Sequence, residues 1–208
     1  MTYLQLINSV LIRLRETQVS TNSETAYSSL IGLFVNDAKR QIEDAFSWNV
    51  LSQTVTITTV AATFQYSMTG AGQKFQVQDV LNTTSHIRIQ NISFADMNRY
   101  LNLLPSTNGI PYYYAFNGVD INGDTKVNLF PRPDGVYNIP FSVTVPQATL
   151  AVDVTSVLVP DFLVVQNAYA RALVERGEDG GLNSSEAYNL YKGMLADQIA
   201  LEGTRYPE

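Results

Sequence analysis

The chain has 208 residues, a hydrophobic fraction of 45%, a charged fraction of 15% and a formal net charge of −6. That length suits one large domain or two small ones, with enough apolar residues for a core. The acidic balance argues against general affinity for nucleic acid or anionic membrane, which need basic patches, and the lack of cysteine excludes disulfides and thiolate metal sites.

The chain opens MTYLQLINSVLIRLRE, with no basic n-region and no small-residue cleavage site, so it does not read as a signal peptide. No uninterrupted apolar run approaches the ~20 residues that span a bilayer. Over residues 2–16, Leu4, Ile7, Leu11 and Leu14 recur at steps of three and four, with Val10 widening the stripe, which predicts a helix. Thr2 reads as its N-cap and Gln5 completes a capping box. The polar segment 18–22 is short enough to be a helical hairpin turn. Residues 23–48 predict the longest helix. Tyr27, Leu30, Ile31, Phe34, Val35, Ala38, Ile42, Ala45 and Phe46 form one stripe; Asn36, Lys39, Arg40, Glu43 and Asp44 form the opposite face; Ser23 is the expected cap.

After Trp48 the period shortens to two. Leu51, Val55 and Ile57 alternate with serine and threonine, the pattern of a half-buried strand. Residues 64–66 and 75–81 predict further short strands, and Ile87 and Ile89 continue the alternation. Ser93 and Asp96 read as the start of one short helix carrying Phe94, Met97, Tyr100, Leu101 and Leu104, ended by Pro105. Residues 112–116 and 126–130 flank NGVDINGDT and predict a hairpin. Ile139, Phe141, Val143 and Val145 mark a last strand. From Pro160 the helical period returns. Phe162, Val165, Tyr169, Ala172 and Leu173 form one stripe, and Gly177, Gly180 and Gly181 end it. A final helix, capped at Ser184 or Ser185, faces Ala187, Leu190, Tyr191, Met194, Leu195 and Ile199 inward. The expected fold is α+β: an antiparallel four-helix bundle from the N- and C-terminal helix pairs, with an inserted small β-sandwich or barrel-like domain. The expected boundaries are 1–48 and 158–202 for the bundle, 49–157 for the insertion and 203–208 for a C-terminal tail.

The residues that carry chemistry do not converge. His86 is the single histidine, with no cysteine and no G-x-S-x-G serine to activate. Asp120, Asn122 and Asp124 lack the glycine and bidentate glutamate positions of an EF-hand, so DINGD reads as a hairpin turn. Glu175, Glu178 and Asp179 beside Arg171 and Arg176 read as a charged helix end. No catalytic, cofactor-binding or metal site is expected. The run Tyr112, Tyr113, Tyr114 is harder to dismiss, because alternate strand residues face opposite ways. Core packing accounts for part of the run and an interface for the rest, which makes all three interface candidates.

Taken together and in order, MTYLQLINSVLIRLRE, LIGLFVNDAKRQIEDAFSW, PYYYAFNG with VNLFPRPDG, and LVPDFLVVQNAYARALVERGED give a recognisable pattern. Over nearly its whole length the sequence resembles the head-to-tail adaptor (connector) proteins of tailed bacteriophages, especially short-tailed ones. The shared motifs are structural, so their specificity lies in joint occurrence and order. The resemblance implies a non-enzymatic virion protein made in the host cytoplasm. It implies a homo-oligomeric ring, a dodecamer, docked under the portal protein and offering a platform to a tail tube or nozzle protein. Double-stranded DNA would pass through the ring without specific binding. By the same likeness the C-terminal Arg205, Tyr206, Pro207 and Glu208 are interface candidates that order on assembly. The competing expectation is a β-rich virion module that binds a glycan or receptor through the tyrosine run.

Overall fold

The computed structural model describes residues 1–103, 105, 107–177 and 181–205. They fall into two units. One is built from the segments before Ser52 and after Val145, the other from Ser52–Val145. The architecture is mixed α+β, with five α-helices among the described residues.

In the first unit, helix α1 (Tyr3–Arg13) starts at the expected box. Thr2 Oγ1 accepts from Gln5 N–H at 3.3 Å and Gln5 Oε1 accepts from Thr2 N–H at 2.9 Å. Helix α2 (Ala26–Ala45) is capped by Thr25, not Ser23. Thr25 and Ser28 exchange side-chain-to-backbone bonds of 2.9 and 3.1 Å, a reciprocal pair that Ser23 cannot make. The helix also stops short of Trp48. The Trp48 indole N–H donates to the Ile42 carbonyl at 2.7 Å and so satisfies one of the last-turn acceptors.

Helix α4 (Asp161–Arg176) follows Pro160 and ends at Gly177, whose φ of 63° is a left-handed conformation that favours glycine. Helix α5 runs over Leu182–Arg205, so it starts before Ser184 and continues past the expected end of the last stripe. Ser184 lies inside the first turn and its hydroxyl donates to the Gly181 carbonyl at 2.9 Å.

The core of this unit joins residues of all four helices. Helix α4 is its hub: it packs on α1, α2 and α5, while α1 also packs on α2. This explains why α4 buries more than a stripe. Leu163, Val164, Val165, Ala168 and Ala172 are inside with the polar Gln166 and Asn167, and Phe162 is 39% exposed. Helix α5 lies against α4 and buries Ser184, Ala187 and Tyr191. Met194, Leu195 and Ile199 are partly covered, and Leu190 is 57% exposed because it turns away from α4.

The face assigned to α2 also needs correction. Asn36, Lys39 and Glu43, expected in water, are buried, while Ala45 is exposed and Phe34 only half-buried. Besides packing on α1 and α4, α2 holds the chain segment that returns after Val145 through the polar side chains of that second face.

The second unit carries β1 (Ser52–Thr58), β2 (Gln65–Ser67), β3 (Gln76–Asn82), β4 (Ile87–Arg88), β5 (Gln90–Asn91), α3 (Phe94–Asn102), β6 (Asn108–Gly109), β7 (Tyr113–Val119), β8 (Thr125–Phe130), β9 (Arg132–Pro133) and β10 (Asn138–Thr144). One sheet has the order β1-β10-β3-β4, a second β2-β8-β7-β5, and β6 pairs with β9. The predicted hairpin is β7–β8, antiparallel with Tyr113 opposite Phe130. Pairings are mainly antiparallel; β5–β7 and β6–β9 are parallel. The two larger sheets share an apolar cluster in which Ile57, Val80, Ile139, Phe141 and Val143 meet Tyr114, Val127 and Leu129. Each sheet keeps open edges, so the described strands form no closed barrel. The other face of the second sheet is covered by α3, through Met97 and Leu101 against Ala115 and Phe130.

Candidate functional site

Strand alternation sorts the tyrosine run. Tyr114 faces the cluster between the sheets, is 5% exposed and meets Phe141 edge-on at 5.4 Å. Tyr113 faces the opposite way and stacks on Tyr100 of α3 at 6.0 Å. Tyr100 also stacks on Phe130 at 5.1 Å. Tyr112 sits just before β7, edge-on to Tyr113 at 4.7 Å, and is 43% exposed. It is tied down by its backbone, its N–H donating to Phe130 and its carbonyl accepting from Gln90, both at 3.0 Å. Tyr112 therefore shows an ordered aromatic side chain to solvent, whereas most of Tyr114 is spent inside the fold.

At the other candidate surface, Arg205 is the exposed last residue of α5. Tyr206, Pro207 and Glu208 lie outside the described residues, as do Glu178 and Asp179.

His86 is an exposed turn residue between β3 and β4, with a left-handed φ of 56°. Asp120 Oδ1 accepts from the Asn122 and Asp124 N–H groups at 2.8 and 3.0 Å, and Asp124 Oδ1 accepts from Gly70 and Gly72 at 3.2 and 3.1 Å. Those carboxylate oxygens hold turns together. Glu175 is exposed, while Arg176 bonds to the Tyr27 hydroxyl at 2.9 Å, the Leu14 carbonyl at 3.3 Å and the Glu16 carboxylate, a tie between helix ends. Among the described residues, no group of three or more His, Asp or Glu side chains gathers as a metal site.

The most built polar constellation is one the apolar periodicity did not reveal. Lys39 Nζ lies 3.0 Å from Glu43 Oε1, both side chains almost fully buried. Lys39 also donates to the Gln147 carbonyl at 2.6 Å, and Glu43 accepts from Gln147 N–H at 3.1 Å. One turn earlier, Asn36 accepts from Leu150 N–H at 2.8 Å and donates to its carbonyl at 3.0 Å. The Gln147 amide reaches the Ser156 carbonyl and the Leu158 N–H at 2.8 and 3.1 Å. Burial lifts the Glu43 carboxyl above its ordinary value, against the pull of Lys39. The device clasps the strap 147–158 onto α2 and presents no free reactive group. A signal for it existed: Ser28, Gly32, Asn36, Lys39 and Glu43 recur at steps of three and four, a second stripe made of small and polar residues.

The features available to a partner are thus surfaces. A family profile described as SU10 adaptor protein matches residues 1–207. The chain belongs to the SU10 adaptor protein family. This bears out the resemblance to phage head-to-tail adaptors drawn from the order of motifs. Membership makes the adaptor a structural component of a phage virion, working with other virion components such as portal and tail. No curated protein matches the chain. No helix of the described adaptor residues is long and apolar enough to cross a membrane.

Proposed function

We propose that the chain is a head-to-tail adaptor that forms a homo-oligomeric ring, a dodecamer, between the portal and the tail. The ring extends the DNA channel and gives the tail tube or nozzle protein its platform. The helical unit, built from the segments before Ser52 and after Val145, acts as a four-helix bundle forming the ring wall, and the β-rich unit Ser52–Val145 projects toward neighbours or tail proteins. The C-terminal stretch 203–208, with Arg205, Tyr206, Pro207 and Glu208, reaches the portal, and Tyr112 marks the contact surface of the insertion, supported from within by Tyr113 and Tyr114. The role is structural and non-enzymatic. The protein is made in the host cytoplasm and ends in the virion.

The observation that carries this reading is the family match over residues 1–207. The net charge of −6 suits a channel wall that should let DNA slide. Electron microscopy of the purified protein, with and without its portal, tests the proposal. The expected images are rings, or rings that appear once portal is added. A clean monomer that binds no portal under any condition would sink it. A second reading, glycan or receptor binding by the β-rich unit, draws on the exposed face of Tyr112 and is removed by a blank glycan array.

A further inference from the structure

The outer edge of β1 is unlike the other outer edges of the two larger sheets. Thr59 N–H donates to the Tyr137 carbonyl at 2.9 Å, and this bond sets the phase of the β1–β10 ladder. In an antiparallel pair, residues alternate between exchanging bonds with their opposite number and turning them away. With Ile57 opposite Ile139 and Val55 opposite Phe141, Gln53, Val55 and Ile57 bond to β10. Ser52, Thr54, Thr56 and Thr58 turn their N–H and C=O groups outward. The Asn138 carbonyl, opposite Thr58, accepts from Thr83 at 3.1 Å instead, as this phase requires. Among the described residues no hydrogen bond reaches the outward main-chain groups of β1, and Ser52, Thr54, Thr56 and Thr58 are all exposed.

Natural sheets blunt a free edge by keeping it short, charging it, or adding proline or a bulge. The other outer strands follow that rule: β2 has 3 residues, and β4 and β5 have 2 each. Strand β1 has 7 residues, SQTVTIT, with no proline, glycine or charge, and its register shows no shift. No charged residue occurs anywhere between Asp44 and Lys74. The edge offers about 20 Å of unpaired backbone on side chains that favour strands.

We propose that β1 pairs antiparallel with β1 of a second copy of this chain, about a two-fold axis, with Ser52 opposite Thr58 and Thr54 opposite Thr56. The edge is self-complementary in that register. Every outward-turned residue meets another outward-turned residue, and each pair exchanges both N–H···O bonds. The side chains brought together are threonines and serine, which stabilise cross-strand pairs and carry no like charge to repel. The contact is isologous, so it closes at two copies and does not propagate. This inference does not rest on the adaptor reading. A ring with one rotation axis repeats a head-to-tail contact, so the two-fold pairing is a separate contact, available to the protein outside such a ring.

The test uses the full-length protein and two double variants, T54K/T56K and T54E/T56E. In the proposed register each places like charges directly opposite. Residue-resolved amide exchange of the wild type should show Ser52, Thr54, Thr56 and Thr58 protected increasingly as concentration rises, with a sedimenting mass that doubles. In either variant alone, those amides should exchange freely while Gln53, Val55 and Ile57, bonded to β10, stay protected. An equimolar mixture of the two variants should regain the protection and the pairing, because lysine then faces glutamate. Wild-type outward amides that exchange freely at every concentration would overturn the proposal, as would lysine variants that pair as the wild type does. Since the readout is the β1 amides, failure here is distinguishable from failure to form rings with portal.

Discussion

Lys39 and Glu43 stand one turn apart on α2, and both side chains are almost fully buried. Taking both charges out of water is costly, so the pair is better viewed as a device for position than as a source of net stability. Its geometry supports that view: each member also bonds the Gln147 backbone, fixing where the chain re-enters the helical unit. Lys39→Met leaves a buried carboxylate without its cation and should cost about 3–5 kcal/mol in urea unfolding. The double variant Lys39→Met/Glu43→Leu removes both charges but strands the Gln147 N–H and C=O, which should cost about 1–3 kcal/mol for each unsatisfied group. The double should therefore cost less than the two single changes added together, and simple additivity would show that the pair does not act as a unit. The pH dependence has a definite sign. Burial raises the Glu43 pKa, so the folded state holds this proton more tightly than the unfolded chain does. The stability it contributes is complete below the unfolded pKa and is lost as pH rises through the folded value. Relative to Glu43→Gln, the wild type should lose stability across that window, and a difference between them that is flat with pH would refute this assignment.

Among the elements, the strands separate what is buried from what only looks apolar. Phe141 is 0% exposed between the two larger sheets, with Tyr114 edge-on to it. Phe141→Ala should cost about 3–5 kcal/mol. Phe34 on α2 is only half-buried, so Phe34→Ala should cost clearly less, and equal losses in thermal unfolding would show that α2 is turned otherwise. The same contrast explains how much of the fold the sequence makes legible. Period and caps place most elements: the Thr2–Gln5 box, the β7–β8 hairpin and the alternation of Ile139, Phe141 and Val143 are local facts. Which face of a helix is covered is decided by neighbours distant in sequence. The polar stripe of α2 reads as solvent-facing until the strap 147–158 lies across it, and α4 buries Asn167 and Gln166 because three helices surround it. At the candidate surface, alternation already said that Tyr113 and Tyr114 point apart. That Tyr100 would cover Tyr113 depends on where α3 docks, which no local pattern encodes.

At the scale of the whole molecule, the chain crosses between its two units at Leu51–Ser52 and Val145–Pro146. Ser52 lies directly opposite Thr144 in the β1–β10 register, so the sheet unit begins and ends on neighbouring strands, ~5 Å apart. The helical unit holds its own side of the junction without the sheets, since Lys39, Glu43 and Asn36 anchor Gln147 and Leu150. Each unit also has its own apolar core. A fragment spanning 50–147 should therefore fold by itself, giving a β-type circular dichroism spectrum and a cooperative urea transition. A chain in which a short Gly/Ser linker replaces residues 52–145 should keep its helical content. Loss of cooperative folding in both pieces, with a well-behaved full-length chain, would mean that the cores are not independent. The pair of fragments also divides the proposed function. If the helices form the ring wall, the linker-closed helical unit should still bind portal and the sheet fragment should not. Portal binding by the sheet fragment alone would reverse that assignment and move the docking surface toward Tyr112.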